Sequence, residues 1–231
     1  MILHVLRHGQ VVPSSHPDSP PAAGPGDPSI TSLGRQQAEA AGRALTASGF
    51  GGCIFSSPYR RALETAAGVA RATGSSIAPT GDLREMVMRE GQMDGFNGAD
   101  FNTIQGAFPN AIAHSMAGEL PDPWWTEPLE TAEDVVTRLE PFIIRLLEND
   151  EDAAVVGHGA SVNGTLTVLL RRFEPTRVDL NRGNWNAALS SFRISPRYEC
   201  LRLNDIAHLS DDMVTSNAEH PDSEAIQKAR A

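Results

Sequence analysis

Three short stretches of this chain place an imidazole or a guanidinium just after an apolar run. Arg7-His8-Gly9 follows Ile2-Leu3-His4-Val5-Leu6, and Gly157-His158-Gly159 follows Ala153-Ala154-Val155-Val156. Between them, Ser56-Ser57-Pro58-Tyr59-Arg60-Arg61 follows Gly52-Cys53-Ile54-Phe55. Guanidiniums bind phosphoryl oxygens in a planar fork, and a helix N-terminus adds backbone donors. A metal cation would be repelled by the same arginines. An imidazole beside those cations is held neutral, because nearby positive charge disfavours its protonated form. Two histidines and at least two arginines in one space would therefore suit transfer of a phosphoryl group, with one histidine as nucleophile.

That reading requires the three stretches to meet. Residues 2–6, 52–55, 76–78 and 153–156 read as short buried strands, and 188–194 and 198–203 as two closing strands. Helical patterns fill the intervals. Thr31 is an N-cap for a helix running through Leu45 to a glycine stop at Gly49, and Ser57-Pro58 reads as a cap followed by proline at the first helical position. Further helices are expected over 59–73, 131–147, with a kink at Pro141, and 161–172. Alternating strands and helices predict an α/β fold: a three-layer sandwich with a mostly parallel central sheet and helices on both faces. In such sheets ligands collect at the carboxyl ends of the strands, which is where all three stretches fall.

Size and composition fit one domain. The chain has 231 residues, 40% hydrophobic and 21% charged, and a domain of this size buries roughly 70% of its unfolded surface. A net charge of -10 opposes coating of nucleic acid or anionic membrane. The only lysine, Lys228, lies near the end of the sequence, which excludes Schiff-base and Walker A chemistry from the core. With Cys53 and Cys200 alone, neither a disulfide framework nor a thiolate metal cluster is expected. No apolar run approaches the ~20 residues of a membrane span, and no signal segment precedes the first strand, so a cytoplasmic protein is expected. A Gly-x-Ser-x-Gly elbow and a His-Glu-x-x-His motif are both missing, and Val162 stands where a dinucleotide fingerprint needs its third glycine.

The sequence resembles the histidine phosphatase superfamily, the phosphoglycerate mutase-like enzymes, and specifically its small-phosphatase branch. Leu6-Arg7-His8-Gly9 is the N-terminal signature. The likeness continues through Asp27-Pro28-Ser29-Ile30-Thr31 with Gly34 and Gln37-Ala38, through Ser56 to Ala62 with Thr65-Ala66, through Leu83-Arg84-Glu85, and through Val156-Gly157-His158-Gly159.

The resemblance implies a catalytic set of His8, Glu85 and His158. His8 would become phosphohistidine, Glu85 would serve as general acid and then base, and His158 would donate to the transferring group. Arg7 and Arg61 would bind phosphoryl oxygens, with Gly9, Gly159, Ser14 and Asn184 as further phosphate contacts. No metal and no cofactor are expected. The expected partner is a small-molecule phosphate ester, not nucleic acid or membrane, with homo-oligomerisation left open. The alternatives are a phosphoglycerate-type phosphomutase and a catalytically inactive phosphate- or phosphoprotein-binding module. The mutases follow the acid glutamate with a basic and aromatic run, whereas Met86-Val87-Met88 follows Glu85 here, which favours hydrolysis.

The expected organisation is a catalytic domain over residues 1–209 and a flexible acidic tail over 210–231. Residues 86–130 are expected to be an inserted partial lid that sets substrate choice through Met93, Phe96, Phe101, Phe108, Met116 and Trp124. The long Pro-, Ser- and Gly-rich stretch at 13–28 is expected to be a functional loop.

Overall fold

A computed structural model describes residues 1–11, 27–93, 95–125, 129–176 and 185–216. The proposed contacts Ser14 and Asn184, and most of the 13–28 stretch, lie outside the described residues.

Six strands form one sheet: β1 (Ile2–Arg7), β2 (Cys53–Ser56), β3 (Ile77–Pro79), β4 (Ala153–Gly157), β5 (Leu189–Arg193) and β6 (Glu199–Asp205), in the order β3-β2-β4-β1-β5-β6. The first four of that order are mutually parallel, and β5 runs antiparallel to both neighbours. Buried on both faces, β4 needs no polar alternation, which is why Ala153 to Gly157 reads as an unbroken run of small and apolar residues. The register Leu6↔Val156 and Arg7↔Gly157 brings the first and fourth strand ends level. Ser56 pairs with Val156 on the other side of β4.

Alternation across the sheet separates two cores. Leu3, Val5, Phe55, Ala153 and Val155 face α4 (Ala132–Asn149) and α5 (Gly159–Phe173). Leu6, Ile54, Ala154 and Val156 face α1 (Ser32–Ala47) and α2 (Arg60–Thr73). The expected three layers are present. A short helix, α3 (Phe101–Ala107), capped by Asp100, interrupts a stretch that reads as irregular in the sequence. None of the described helices is long and apolar enough to cross a membrane.

Local details correct two expectations. Ser57 does not cap α2, whose N-cap is Tyr59 and whose first residue is Arg60. Ser57 Oγ is instead bonded to His158 Nε2 (2.8 Å), and the free Arg60 N–H of the first turn donates to the Asp27 carboxylate (2.8 and 3.0 Å), a cap brought from far along the chain. Pro141 lies inside α4, which continues from Ala132 to Asn149. Finally, the folded unit does not stop at 209. Asp211–Met213 forms a 3-10 turn, and Val214 and Thr215 are fully buried against α1 and the 185–188 segment, so no mobile tail begins at 210. Residues 217–231 lie outside the described residues.

Candidate active site

His8 leaves the end of β1 with its backbone fixed from two sides. Its N–H donates to Gly157 O (2.9 Å). Its carbonyl accepts from Asn186 Nδ2 (3.2 Å) and from Ala187 N (3.3 Å). Its ring Nδ1 lies 2.8 Å from Gly9 O. A carbonyl oxygen can only accept, so Nδ1 carries the proton and the lone pair sits on Nε2. Burial, then Arg61 and Arg7, hold the His8 pKa well below the ordinary imidazole value. The residue is thus a neutral imidazole with a nucleophilic Nε2.

His158 follows β4 and is completely buried, its ring 5.3 Å from that of His8 at 60°. Arg61 Nε donates to His158 Nδ1 (3.1 Å). Since Nδ1 accepts, Nε2 carries the proton and gives it to Ser57 Oγ. Burial, Arg61 and the second histidine push its pKa well below normal. In this arrangement the single N–H of His158 is engaged by Ser57, and the ring is the acceptor that orients Arg61.

Arg61, the second residue of α2, is 8% exposed, with its guanidinium 4.4 Å above the Tyr59 ring and 3.6 Å from Asp27. Asp27 carries a raised pKa of about 6, because burial outweighs the favourable Arg60 and Arg61 contacts. Arg7 at the end of β1 is 9% exposed, and burial lowers its pKa while Glu85 offsets part of that. Arg60, by contrast, points outward to Glu64 (2.8 Å).

Glu85 lies on the loop after the 3-10 turn Gly81–Leu83, with Oε2 4.0 Å from His158 Nδ1 and Oε1 accepting from the Met86 N–H (2.9 Å). Its side chain is 25% exposed, so it borders the open side of the constellation. A buried ion cluster holds this loop against α4. Glu130 Oε1 binds Arg84 Nη2 (3.1 Å) and Arg138 Nε (2.7 Å), and Arg138 Nη1 donates to the carbonyl of Asp82.

The two glycines expected as phosphate contacts lie at a loop and at a helix start. The Gly9 N–H donates to Thr65 Oγ1 (3.0 Å), and a Cβ there would stand 2.6 Å from Gly34 O, so the glycine lets the nucleophile loop lie against the start of α1. Gly159 is the first residue of α5.

Sequence reasoning missed a polar chain behind His8. Gln10 N donates to Gln37 Oε1 (2.8 Å), Gln37 Nε2 donates to Thr215 Oγ1 (2.9 Å), Thr215 Oγ1 donates to Asn186 Oδ1 (3.0 Å), and Asn186 reaches the His8 carbonyl. Gln37, Asn186 and Thr215 are all fully buried, yet each is bonded to its neighbours in this chain, as buried polar groups require. Gln37 stood within a family motif; nothing in the sequence marked Asn186 or Thr215.

Of the residues expected in a lid, Met93, Phe96 and Trp124 gather around Tyr59 with Leu120 and Trp125. Phe108 and Met116 do not join them and pack instead against the two cores of the sheet, while Phe101 opens α3.

With this geometry in view, comparison with known proteins is decisive for the family. The sequence profile of the histidine phosphatase superfamily (branch 1) matches residues 3–206. The chain belongs to that superfamily. No curated protein matches the sequence at a significant level. Among solved structures, the chain is similar to the ecdysone phosphate phosphatase of Bombix mori in complex with tungstate. The identity is 17% over 97% of this chain and 99% of that one, with a TM-score of 0.69. It is also similar to the mycobacterial glucosyl-3-phosphoglycerate phosphatase in complex with inorganic phosphate. That identity is 23% over 90% and 99% of the two chains, with a TM-score of 0.57. At these identities the likeness establishes the shared fold.

Proposed function

We propose that the protein is a metal-independent phosphomonoesterase working through a phosphohistidine on His8. In the first step His8 Nε2 forms a bond to phosphorus as the bond to the alcohol oxygen breaks, and Glu85 in its acid form protonates that oxygen. In the second, water attacks phosphorus, Glu85 takes its proton, the N–P bond breaks, and inorganic phosphate leaves a neutral His8. Arg7 and Arg61 supply the fixed positive charge that the transferring group requires, so positioning and electrostatics do most of the catalysis.

The observation that carries this reading is the tautomer of His8: Nδ1–H is tied to Gly9 O, which leaves Nε2 unprotonated, and burial, then Arg61 and Arg7, keep the ring neutral. Family membership supports phosphatase chemistry. The two neighbours are named for different substrates, ecdysone phosphate and glucosyl-3-phosphoglycerate, and share only the phosphate ester. Hydrolysis is favoured over mutase chemistry because Glu85 is followed by Met86, Val87 and Met88, which offer no side-chain donors to a substrate carboxylate.

The test is hydrolysis of an aryl phosphate in the presence of chelator by the wild type and by His8→Ala. Turnover that survives chelation and falls by on the order of 10⁴-fold or more in the variant is expected. Activity lost in chelator and restored by one divalent ion would overturn metal independence; a His8→Ala enzyme as active as wild type would overturn the mechanism.

A further inference from the structure

Next to the phosphoryl-binding groups stands a wall of rings. Tyr59 lies 5.0 Å from the His158 ring, edge to face, and beneath the Arg61 guanidinium. Phe96 stacks on Tyr59 at 5.3 Å, Trp124 meets it edge-on at 5.0 Å, and Trp125 adds contacts to Phe96 (5.9 Å) and Trp124 (5.4 Å). Burial divides the cluster into two parts. Tyr59, Phe96 and Trp124 are at most 7% exposed and form its interior. Trp125 and Met93 keep part of their surface open, and Met93 Sδ sits 3.6 Å from the Tyr59 hydroxyl. An interior of three rings would explain the packing of the inserted segment, but it leaves unexplained why an indole and a thioether at its margin remain partly open.

The nearby charges argue in the same direction. Arg60 is paired with Glu64, and Arg84 and Arg138 are both paired with Glu130. Gln92, which could address a hydroxyl, is bonded to the main chain of Met86 and Met88. A substrate carboxylate or a polyhydroxylated group would find these three cations and Gln92 already engaged, while Arg89 is exposed further along the segment.

We infer that the site takes phosphate monoesters of bulky apolar or aromatic alcohols, whose carbon framework lies against Trp125 and Met93 while the phosphate occupies the arginines. This rests on the phosphomonoesterase reading above. A ring held against an indole gains offset or edge contacts beyond the water it displaces, and a thioether adapts to irregular shapes.

Two primary alkyl esters with comparable leaving groups separate contact from chemistry: 2-(1-naphthyl)ethyl phosphate and ethyl phosphate. The wild type should prefer the naphthylethyl ester in kcat/KM by about tenfold or more, and Trp125→Ala should reduce that preference by about tenfold. Met93→Ala, a smaller change that guards against misfolding of the tryptophan variant, should reduce it by a few-fold. Equal turnover of the two esters by the wild type, or a preference that both variants leave intact, overturns the substrate class while leaving the phosphatase reading standing. Failure to turn over either ester or an aryl phosphate overturns both.

Discussion

At the floor of the site, His8, Arg61 and His158 are each held by directional bonds. Each ring nitrogen that has a partner has one that fixes its protonation, and the backbone of His8 is pinned by Gly157, Asn186 and Ala187. In the wall beside it, Tyr59, Phe96, Trp124 and Trp125 meet ring against ring, with Trp124 Nε1 donating to Ala99 O (3.0 Å) as the chief polar restraint. Directional bonds fix atoms to within the tolerance a reaction needs, whereas apolar packing fixes a surface and tolerates changes of shape. One region is thus suited to a single chemistry and the other to a choice of substrate.

The loop that joins the two regions carries Glu85, and its buried ion cluster should be the most sensitive point. Glu130→Ala leaves Arg84 and Arg138 without their shared carboxylate, which should cost about 3–5 kcal/mol of stability. Urea unfolding measures it, and a loss of under about 1 kcal/mol would mean that water replaces Glu130 without strain.

Arg61→Ala removes both a cation beside His8 and the donor to His158 Nδ1. A fall in kcat/KM of roughly 10²–10³-fold is expected, with Arg61→Lys recovering only part because an ammonium cannot reproduce the fork. Full recovery by lysine would reduce the floor to a matter of charge.

The floor should also be the acid-sensitive region, since its strand carries imidazoles buried in the neutral form. His4 has its pKa lowered from 6.5 to about 4, chiefly by burial. The unfolded chain therefore takes up this proton first. Stability should fall as pH drops below 6.5, with the loss from this group complete near 4 and amounting to roughly 3 kcal/mol. His4→Gln should flatten that slope in denaturant titrations across the same interval, whereas Phe96→Leu in the wall should leave it unchanged.

The smallest effect is expected in the wall. A Cβ on Gly98 would lie 2.6 and 2.8 Å from two Trp124 ring atoms and would also press on Trp125, so Gly98→Ala should destabilise by about 1–3 kcal/mol. It should alter relative rates on different esters more than it alters His8 phosphorylation.

The same division explains what the sequence made legible. Strand ends bearing Arg7-His8-Gly9 and Gly157-His158-Gly159 are local features, and the parallel-sheet rule alone brings them together. Asn186 and Thr215 act through contacts spanning up to 178 residues, as in the Asn186 bond to His8, and a lone asparagine or threonine carries no local signature of such a bond. The cap of α2 departs from the local pattern for the same reason: Ser57 has that pattern, but His158 competes for its oxygen and Asp27 supplies the acceptor from elsewhere. In the 86–130 segment, composition announced aromatic residues without saying which would gather. Phe96 and Trp124 reached Tyr59, whereas Phe108 and Met116 were taken up by the cores of the sheet.

The central claim is that His8 carries the phosphoryl group. Mixing the wild type with an aryl phosphate, quenching in base to preserve a P–N bond, and mapping the modified peptide by mass spectrometry tests it directly. One phosphoryl group on His8, absent from His8→Ala and lost on standing with water, is the predicted result. Steady turnover with an unmodified His8 at every quench time, or a phosphoryl group on any other side chain, would contradict the account.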